Sequence, residues 1–395
     1  MAQKKKLLFI MESLRIGGAE KSLLTLLSML DYTQYEVQLF LFRHSGELTE
    51  FLPEQVKLLQ EDALYRIFDK NWKTAPMQYL MRGDWKRTYH SFCYLLGCVR
   101  QRILRQPLYI GWNHVRHLFS ETSLQADVAV AYLERKSIYF TAEFTKADCK
   151  IGFIHNDYSR YPFDRNMDER FFPAYRAIAT VSEHCKEVLE ACFPGLEMPP
   201  FVVVPNMVSH DLIRTMAEQP LQTKKVPGGT LNLVTVGRLV QQKGYDTALE
   251  IAAELRKQNV KFVWYFVGDG PLYGWLSQQI QTLGLQEKVQ LVGATNNPYP
   301  WMKLADVYVQ PSHFEGFGIT VAEANVLQKS IVCSDIPEFH EQLDHRPGIC
   351  FARTVSQYVQ GIQSLACDTQ TQWPAPSQDI TPLQTLEHLW QEVKK

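Results

Sequence analysis

The sequence predicts an α/β protein of two Rossmann-like halves joined by a linker, and three observations carry that expectation. Short apolar runs alternate with helical segments along the chain, as a parallel sheet with crossover helices requires. The rhythm stops in a polar stretch at 207–230, which ends near Pro227-Gly228-Gly229, and then restarts. At 395 residues the chain is long for one core and comfortable for two. Two such halves imply a cleft at their interface.

Taken in order, Lys4-Lys5-Lys6 before Leu7-Leu8-Phe9-Ile10-Met11 superficially resembles a signal peptide. Five apolar residues stopped by Glu12 are too few for one, so the run reads as a first buried strand. Gly17-Gly18 follows, at the mouth of a helix with leucines at helical spacing over 21–30. It lacks the G-x-G-x-x-G and G-x-x-x-x-G-K-[ST] patterns, so tight turning and ligand contact stay equally open for it. Further strands are expected at 35–42, 127–132 and 149–154. The last of these ends in His155, where ligands gather in open α/β sheets. A strand at 177–181 leads into a helix opened by Ser182, and 201–207 closes the first half. The second half repeats the pattern with strands at 231–236, 261–267, 288–292, 305–310 and 330–334. Its helices include 245–256, and a last helix at 381–395 carries Leu383, Leu386, Leu389 and Trp390 on one side.

Composition narrows the function. A net charge of −1 gives no electrostatic case for nucleic acid. Eight cysteines without C-x-x-C spacing fit a reduced, cytoplasmic setting, and no run approaches the ~18 apolar residues of a membrane span. Residues 63–118 depart from the average, with ten Lys or Arg against two acids and aromatics threaded between them. Such a basic, aromatic-rich helical insertion suits an anionic membrane surface or a lipid-linked phosphate; the plainer alternative is a solvated helical pair whose aromatics fill the core.

The most informative stretch is 311–324. It runs strand, glycine-bearing loop, helix, so the amides around Gly316, Phe317 and Gly318 form an anion-friendly helix mouth. Glu315 and Glu323 frame it, within about 80° of each other if both are helical. Arg238 and Lys243 share an earlier strand-to-helix loop, a pairing that suits a diphosphate. Glu323 could accept from the hydroxyls of a ribose, or be an ordinary exposed helix acid. No H-E-x-x-H, no C-x-x-C and no D-x-D cluster in a strand-end loop is present, so neither a metal nor a cofactor is implied. A departing diphosphate would then be neutralised by the two cations and the helix-mouth amides.

Gly237-Arg238 with Lys243-Gly244, Gly268-Asp269-Gly270-Pro271, and Glu315 and Glu323 with seven residues between them, the first inside Ser-His-Phe-Glu-Gly-Phe-Gly, together resemble glycosyltransferase family 4, retaining enzymes of GT-B fold. The resemblance covers essentially the whole chain. It implies two Rossmann-like domains facing a central cleft. Residues 1–207, with the insertion near 63–118, would bind the acceptor, 208–376 the nucleotide-sugar donor, and the helix within 377–395 would cross back to the N-terminal domain. Arg238 and Lys243 would hold the diphosphate, Glu323 the ribose, and the turn at Gly293 would lie beside the base. Glu315 and the amides of Gly316, Phe317 and Gly318 would hold the sugar. His155 would reach that sugar from the other domain, with Gly17 and Gly18 near the phosphates. The resemblance also implies an orienting, electrostatic role for Glu315 within a same-face substitution, with double displacement as the other route to retention.

The expected activity is transfer from a UDP-sugar, or a GDP-sugar, to a lipid-linked glycan or polysaccharide acceptor at the inner face of the plasma membrane. An epimerase or phosphorylase of the same fold, or a non-catalytic sugar-nucleotide-binding subunit, are the competing expectations. One departure from the family pattern is Pro205-Asn206-Met207-Val208-Ser209, where Pro-Asn-Gly-Val-Asp is usual; it points to a hinge or packing role for that turn.

Overall fold

Leu7, Phe9 and Met11 face one apolar core and Leu8 and Ile10 another, because a strand covered on both sides alternates its side chains between two helical layers. The computed structural model, which describes residues 4–104, 111–120, 123–160, 163–221, 229–344, 346–367 and 376–391, places all five in β1 (Lys5–Met11), fully buried. Arg105, Pro227, Gly228 and residues 392–395 of the expected last helix lie outside the described residues. The chain divides into two units, Met1–Met207 with Ile380–Lys395 and Val208–Asp379.

In the first unit β1 is flanked by β2 (Tyr35–Leu41), β3 (Lys57–Leu58), β4 (Val128–Ala131), β5 (Cys149–Ile154), β6 (Ala177–Thr180) and β7 (Phe201–Val203). All are parallel, in the order β3-β2-β1-β4-β5-β6-β7. Helix α1 (Gly18–Met29) starts three residues before the leucine spacing suggests, with Gly17 as its extended N-cap. A methyl group at Gly17 would fall 2.1 Å from Glu20 Oε2, so the α1 mouth is already faced by a carboxylate of its own first turn. The basic segment forms helices at Tyr65–Lys70 and Ala75–Met81 and then α2 (Trp85–Leu104). Tyr65, Phe68, Tyr79 and Trp112 of this segment do fill the core, whereas α2 turns much of its apolar surface outward.

In the second unit the expected linker contains a helix not anticipated from its polar composition, α3 (His210–Ala217). Ser209 caps it by accepting from the Leu212 amide, and Ile213 and Ala217 are buried. The sheet comprises β8 (Leu231–Val236), β9 (Phe262–Val267), β10 (Val289–Gly293), β11 (Val307–Gln310), β12 (Ser330–Ser334) and β13 (Ile349–Ala352). Its order, β10-β9-β8-β11-β12-β13, is the 3-2-1-4-5-6 arrangement of a dinucleotide-fold sheet. The order of strand addition reverses between β8 and β11, which lie parallel, and this makes the carboxyl ends of those two strands the switch point where such sheets bind ligands.

The last helix, α6 after α4 (Tyr245–Lys257) and α5 (Ile319–Val326), spans Thr381–Gln391 and belongs to the first unit. Leu386 and Trp390 are buried in the core beneath β1 and β2; the Trp390 ring lies edge-on to Tyr35 with centroids 5.9 Å apart.

One buried acid gives the first unit a pH response. Asp168 accepts from Tyr139 Oη at 2.9 Å and Tyr158 Oη at 2.7 Å, yet burial dominates and pushes its carboxyl up to about 7. An acid whose folded value is raised is more protonated in the folded chain than in the unfolded one. Its contribution therefore falls as pH rises from the ordinary value of 3.8 to about 7, by up to about 4 kcal/mol, and is level above that. Thermal unfolding of the wild type and Asp168→Asn between roughly pH 5 and pH 8 checks this: the wild type is expected to lose more stability across the range, and parallel curves would refute it.

Candidate functional site

The loops after β8 and β11 are pressed together by backbone geometry before any side chain takes part. Gly244, at φ +66, caps α4, and a Cβ there would sit 1.7 Å from the Pro311 carbonyl oxygen. His313 N donates to Gln242 O at 2.9 Å and Gln242 Nε2 to Phe314 O at 3.2 Å. His313 Nε2 reaches Asp246 Oδ1 at 2.9 Å. Residues some 70 apart in sequence thus share one small frame.

That frame brings Lys243 onto Glu315. The ammonium donates to both carboxylate oxygens, at 2.8 and 2.9 Å, and Ser312 Oγ donates to Oε1 at 2.7 Å. Glu315 is 3% exposed. A carboxylate that deep stays charged only with such partners. Behind Ser312 a buried relay continues. Gln310 Nε2 donates to Ser312 Oγ at 2.9 Å, and Tyr308 Oη donates to Gln310 Oε1 at 2.8 Å. Ser312 O also accepts from Ser334 Oγ at 2.6 Å. Glu315 is therefore held from two sides, by a cation across the loop interface and by a hydroxyl chain rising from the sheet.

Arg238 differs from Lys243: its side chain is exposed and has no ion-pair partner among the described residues. The two cations of this loop are thus one fixed and one open, rather than two equivalent donors. Glu315 lies in the loop and α5 begins only at Ile319, so the helical angle argument for Glu315 and Glu323 does not apply. Nor is Glu323 an exposed helix acid; it is 1% exposed and accepts from Tyr299 Oη at 2.9 Å. Between them Gly318 caps α5 at φ +87, with its α-carbon packed so that a Cβ would meet Phe339 at 2.4 Å. Gly316 is buried, and the Phe317 carbonyl accepts from Gln342 Nε2.

The carboxyl ends of β8, β9 and β10 all end in glycine: Gly237, Gly268 and Gly293. Gly268 N donates to Gly293 O at 2.9 Å, and a Cβ on Gly268 would lie 2.0 Å from Gly237 O. The result is a floor of bare backbone, with open space above Gly293, whose φ is +89.

Gly17, Gly18 and His155 lie in the first unit. His155 follows β5, is 8% exposed, and donates from Nε2 to Tyr132 O at 3.0 Å. That bond fixes the proton on Nε2 in the neutral ring. Nδ1 is buried and makes no hydrogen bond of ordinary geometry, with the Asn206 side chain as its neighbour. Burial lowers the imidazole's pKa, only partly offset by the Glu134 carboxylate, so the ring is neutral at neutral pH and presents Nδ1 as an acceptor.

Gln310, Ser312, Tyr299 and Tyr308 carry no role in the sequence reading. Ser312 opens the Ser-His-Phe-Glu-Gly-Phe-Gly motif, and a hydroxyl three residues before a loop carboxylate is the one hint of its role; its bonds to Gln310 at the end of β11 and to Ser334 on β12 depend on the fold. Among the described residues no group of three or more His, Cys, Asp or Glu is placed to hold a metal ion, and no helix is long and apolar enough to cross a membrane.

Comparison with known proteins adds to this geometry. Residues 219–372 match the model of the family described as glycosyl transferases group 1. The chain is 27% identical over 169 residues to an uncharacterized glycosyltransferase of Methanocaldococcus jannaschii, covering 42% of this chain and 41% of that one. It is 38% identical over 104 residues to the N-acetylgalactosamine-N,N'-diacetylbacillosaminyl-diphospho-undecaprenol 4-alpha-N-acetylgalactosaminyltransferase of Campylobacter jejuni, covering 26% and 27%. The chain thus spans less than half the length of these curated relatives. Among solved structures, Anabaena HepE in complex with UDP and glucose superposes with a TM-score of 0.62 at 16% identity, over 93% of this chain and 91% of that one. Staphylococcus aureus TarM in complex with UDP does so with 0.64 at 12% identity, over 98% and 99%. The fold shared with these glycosyltransferases is GT-B.

Proposed function

We propose that this chain, whose residues 219–372 match the glycosyl transferases group 1 family, moves a sugar with retention from a nucleotide-sugar to a lipid-linked or polysaccharide acceptor. The observation that carries the reading is the Lys243–Glu315 pair, seated on Ser312 at the switch point of the second sheet with exposed Arg238 in the same loop. A carboxylate held in place by a cation can orient sugar hydroxyls without collapsing onto the anomeric carbon. An open guanidinium beside a helix mouth suits a diphosphate.

In this reading Arg238 and Lys243 draw charge from the β-phosphate as the bond from anomeric carbon to phosphate oxygen breaks. The acceptor hydroxyl forms the new bond on the same face, and its proton passes to the departing phosphate oxygen. Arg238, Lys243 and the amides of Gly316, Phe317 and Gly318 neutralise the leaving diphosphate, so the residues present supply what a metal would otherwise provide. Glu323 takes the ribose hydroxyls and the space above Gly293 takes the base. In the first unit, Nδ1 of His155 is an acceptor for a ligand hydroxyl, and an anion would reach Gly17 and Gly18 only with Glu20 turned away. UDP is favoured over GDP because the fold neighbours HepE and TarM hold it. A lipid-linked acceptor is favoured because the Campylobacter relative acts on a diphospho-undecaprenol substrate; the working place is then the cytoplasmic face of a membrane.

Release of nucleoside diphosphate from a panel of UDP- and GDP-sugars, with and without a polyprenyl-diphosphate glycan, tests the proposal. Acceptor-dependent release from a UDP-sugar, with the product keeping the donor's anomeric configuration by NMR, is expected. Turnover of donor without transfer to any acceptor would favour an epimerase or phosphorylase, and no release from any donor would favour a non-catalytic subunit.

A further inference from the structure

Helix α2 carries a straight apolar stripe on its outward face. Trp85, Tyr89, Phe92, Leu96, Val99 and Ile103 recur at intervals of four and three, and the eighteen steps from first to last make about five helical turns, which keeps the row parallel to the axis. All six are open to solvent, from 48% exposed at Val99 to 74% at Ile103. The opposite face fixes the helix to the first unit. Ser91 is fully buried, the Tyr94 ring stands edge-on to Phe68 at 4.9 Å, and Arg87 donates to the carbonyls of Leu118 and Phe119. The stripe is thus held outward over a length of about 27 Å rather than left on a loose segment.

Its flanks are entirely cationic. Lys86, Arg100 and Arg102 are exposed on α2 and Arg82 just before it, and α2 contains no acid. Asp84, the nearest carboxylate, is engaged by Arg87 at 2.6 Å. This pattern disfavours the simplest partner for an apolar stripe, a second copy of the same helix. Self-pairing in either direction would set the cations at each end of one stripe, Arg82 and Lys86 or Arg100 and Arg102, against cations of the other, with no acid on the helix to answer them. An anionic lipid surface satisfies both features together: the apolar row enters the boundary between headgroups and acyl chains, aromatic Trp85 and Tyr89 sit at headgroup depth, and the long cationic stems reach lipid phosphates.

We infer that the outward face of α2 docks the chain on an anionic bilayer, lying in the membrane plane. The inference builds on the proposed lipid-linked acceptor only in explaining why such a face is useful, and it can fail while that proposal stands. Flotation of the full chain with phosphatidylcholine vesicles, with and without phosphatidylglycerol, tests it. The wild type is expected to float with the anionic vesicles and to be partly released by high salt. Phe92→Glu with Leu96→Glu, at exposed positions that leave the core untouched, is expected to lower binding about tenfold or more. Release of nucleoside diphosphate with a short-chain, water-soluble polyprenyl-diphosphate glycan as acceptor should be unchanged in that variant. Undiminished flotation of the variant would overturn the inference, as would binding that ignores lipid charge. A wild-type dimer in sedimentation that the same pair of substitutions dissolves would reassign the stripe to self-association. Loss of nucleotide release in the wild type would count against the proposed reaction alone.

Discussion

Glu315→Ala is expected to reduce sugar transfer by about 10²- to 10³-fold, the scale of losing one preorganised polar group that acts on the transition state. Two losses combine. The carboxylate proposed to orient the sugar disappears, and the Lys243 ammonium, only 17% exposed in its side chain, loses both oxygens it grips. Removing one member of a buried ion pair costs about 3–5 kcal/mol; residual solvent access to Lys243 brings the expected stability loss below that range. Glu315→Gln separates the contributions. It keeps the volume and an oxygen for Ser312 to donate to, so most of the stability should return, while activity should not if the charge is what matters. Steady-state transfer kinetics beside thermal unfolding read both. Transfer by the alanine variant within a few-fold of the wild type would remove Glu315 from the reaction.

Arg238→Ala should behave in the opposite way. The side chain is exposed and unpaired, so unfolding should change by no more than about 0.5 kcal/mol. Loss of a charge-assisted hydrogen bond to phosphate costs about 1.5–3 kcal/mol, which predicts a roughly 10- to 100-fold fall in kcat/KM for donor and a matching loss of inhibition by free UDP. Arg238→Lys should recover only part, since an ammonium cannot reproduce a two-pronged grip. Unaltered UDP inhibition in the alanine variant would falsify the diphosphate role.

The contrast between these two loops shows what the sequence could and could not tell. The alternation of apolar runs and helices made the parallel sheets readable, because strands buried on both faces are written as continuous apolar stretches such as Leu7 to Met11. Lys57–Leu58 is too short for any periodic signal, and Ile349–Ala352, an edge strand only partly buried, was not read. Arg238 and Lys243 were readable as a cation pair by their spacing. That Lys243 answers Glu315 was not, since the contact depends on β8 lying beside β11, 72 residues on. Glu323 offered a clue the sequence reading passed over. In Ile319–Val326 the apolar residues Ile319, Val321, Ala322, Ala324 and Val326 are spread around the helix rather than gathered on one face, and a helix of that kind is largely buried, its one acid included. Tyr299, which answers that acid, comes from a separate helix.

Gly244 touching the Pro311 carbonyl has a mechanical consequence for how such a site can open. Separating the two strand-end loops would break the His313–Gln242 and Gln242–Phe314 bonds together with the Lys243–Glu315 pair, so these loops move as one block. Any adjustment to a ligand then falls to the parts outside that block, the free guanidinium of Arg238 foremost. The charged pair at the centre acts as a fixed reference against which a mobile cation closes.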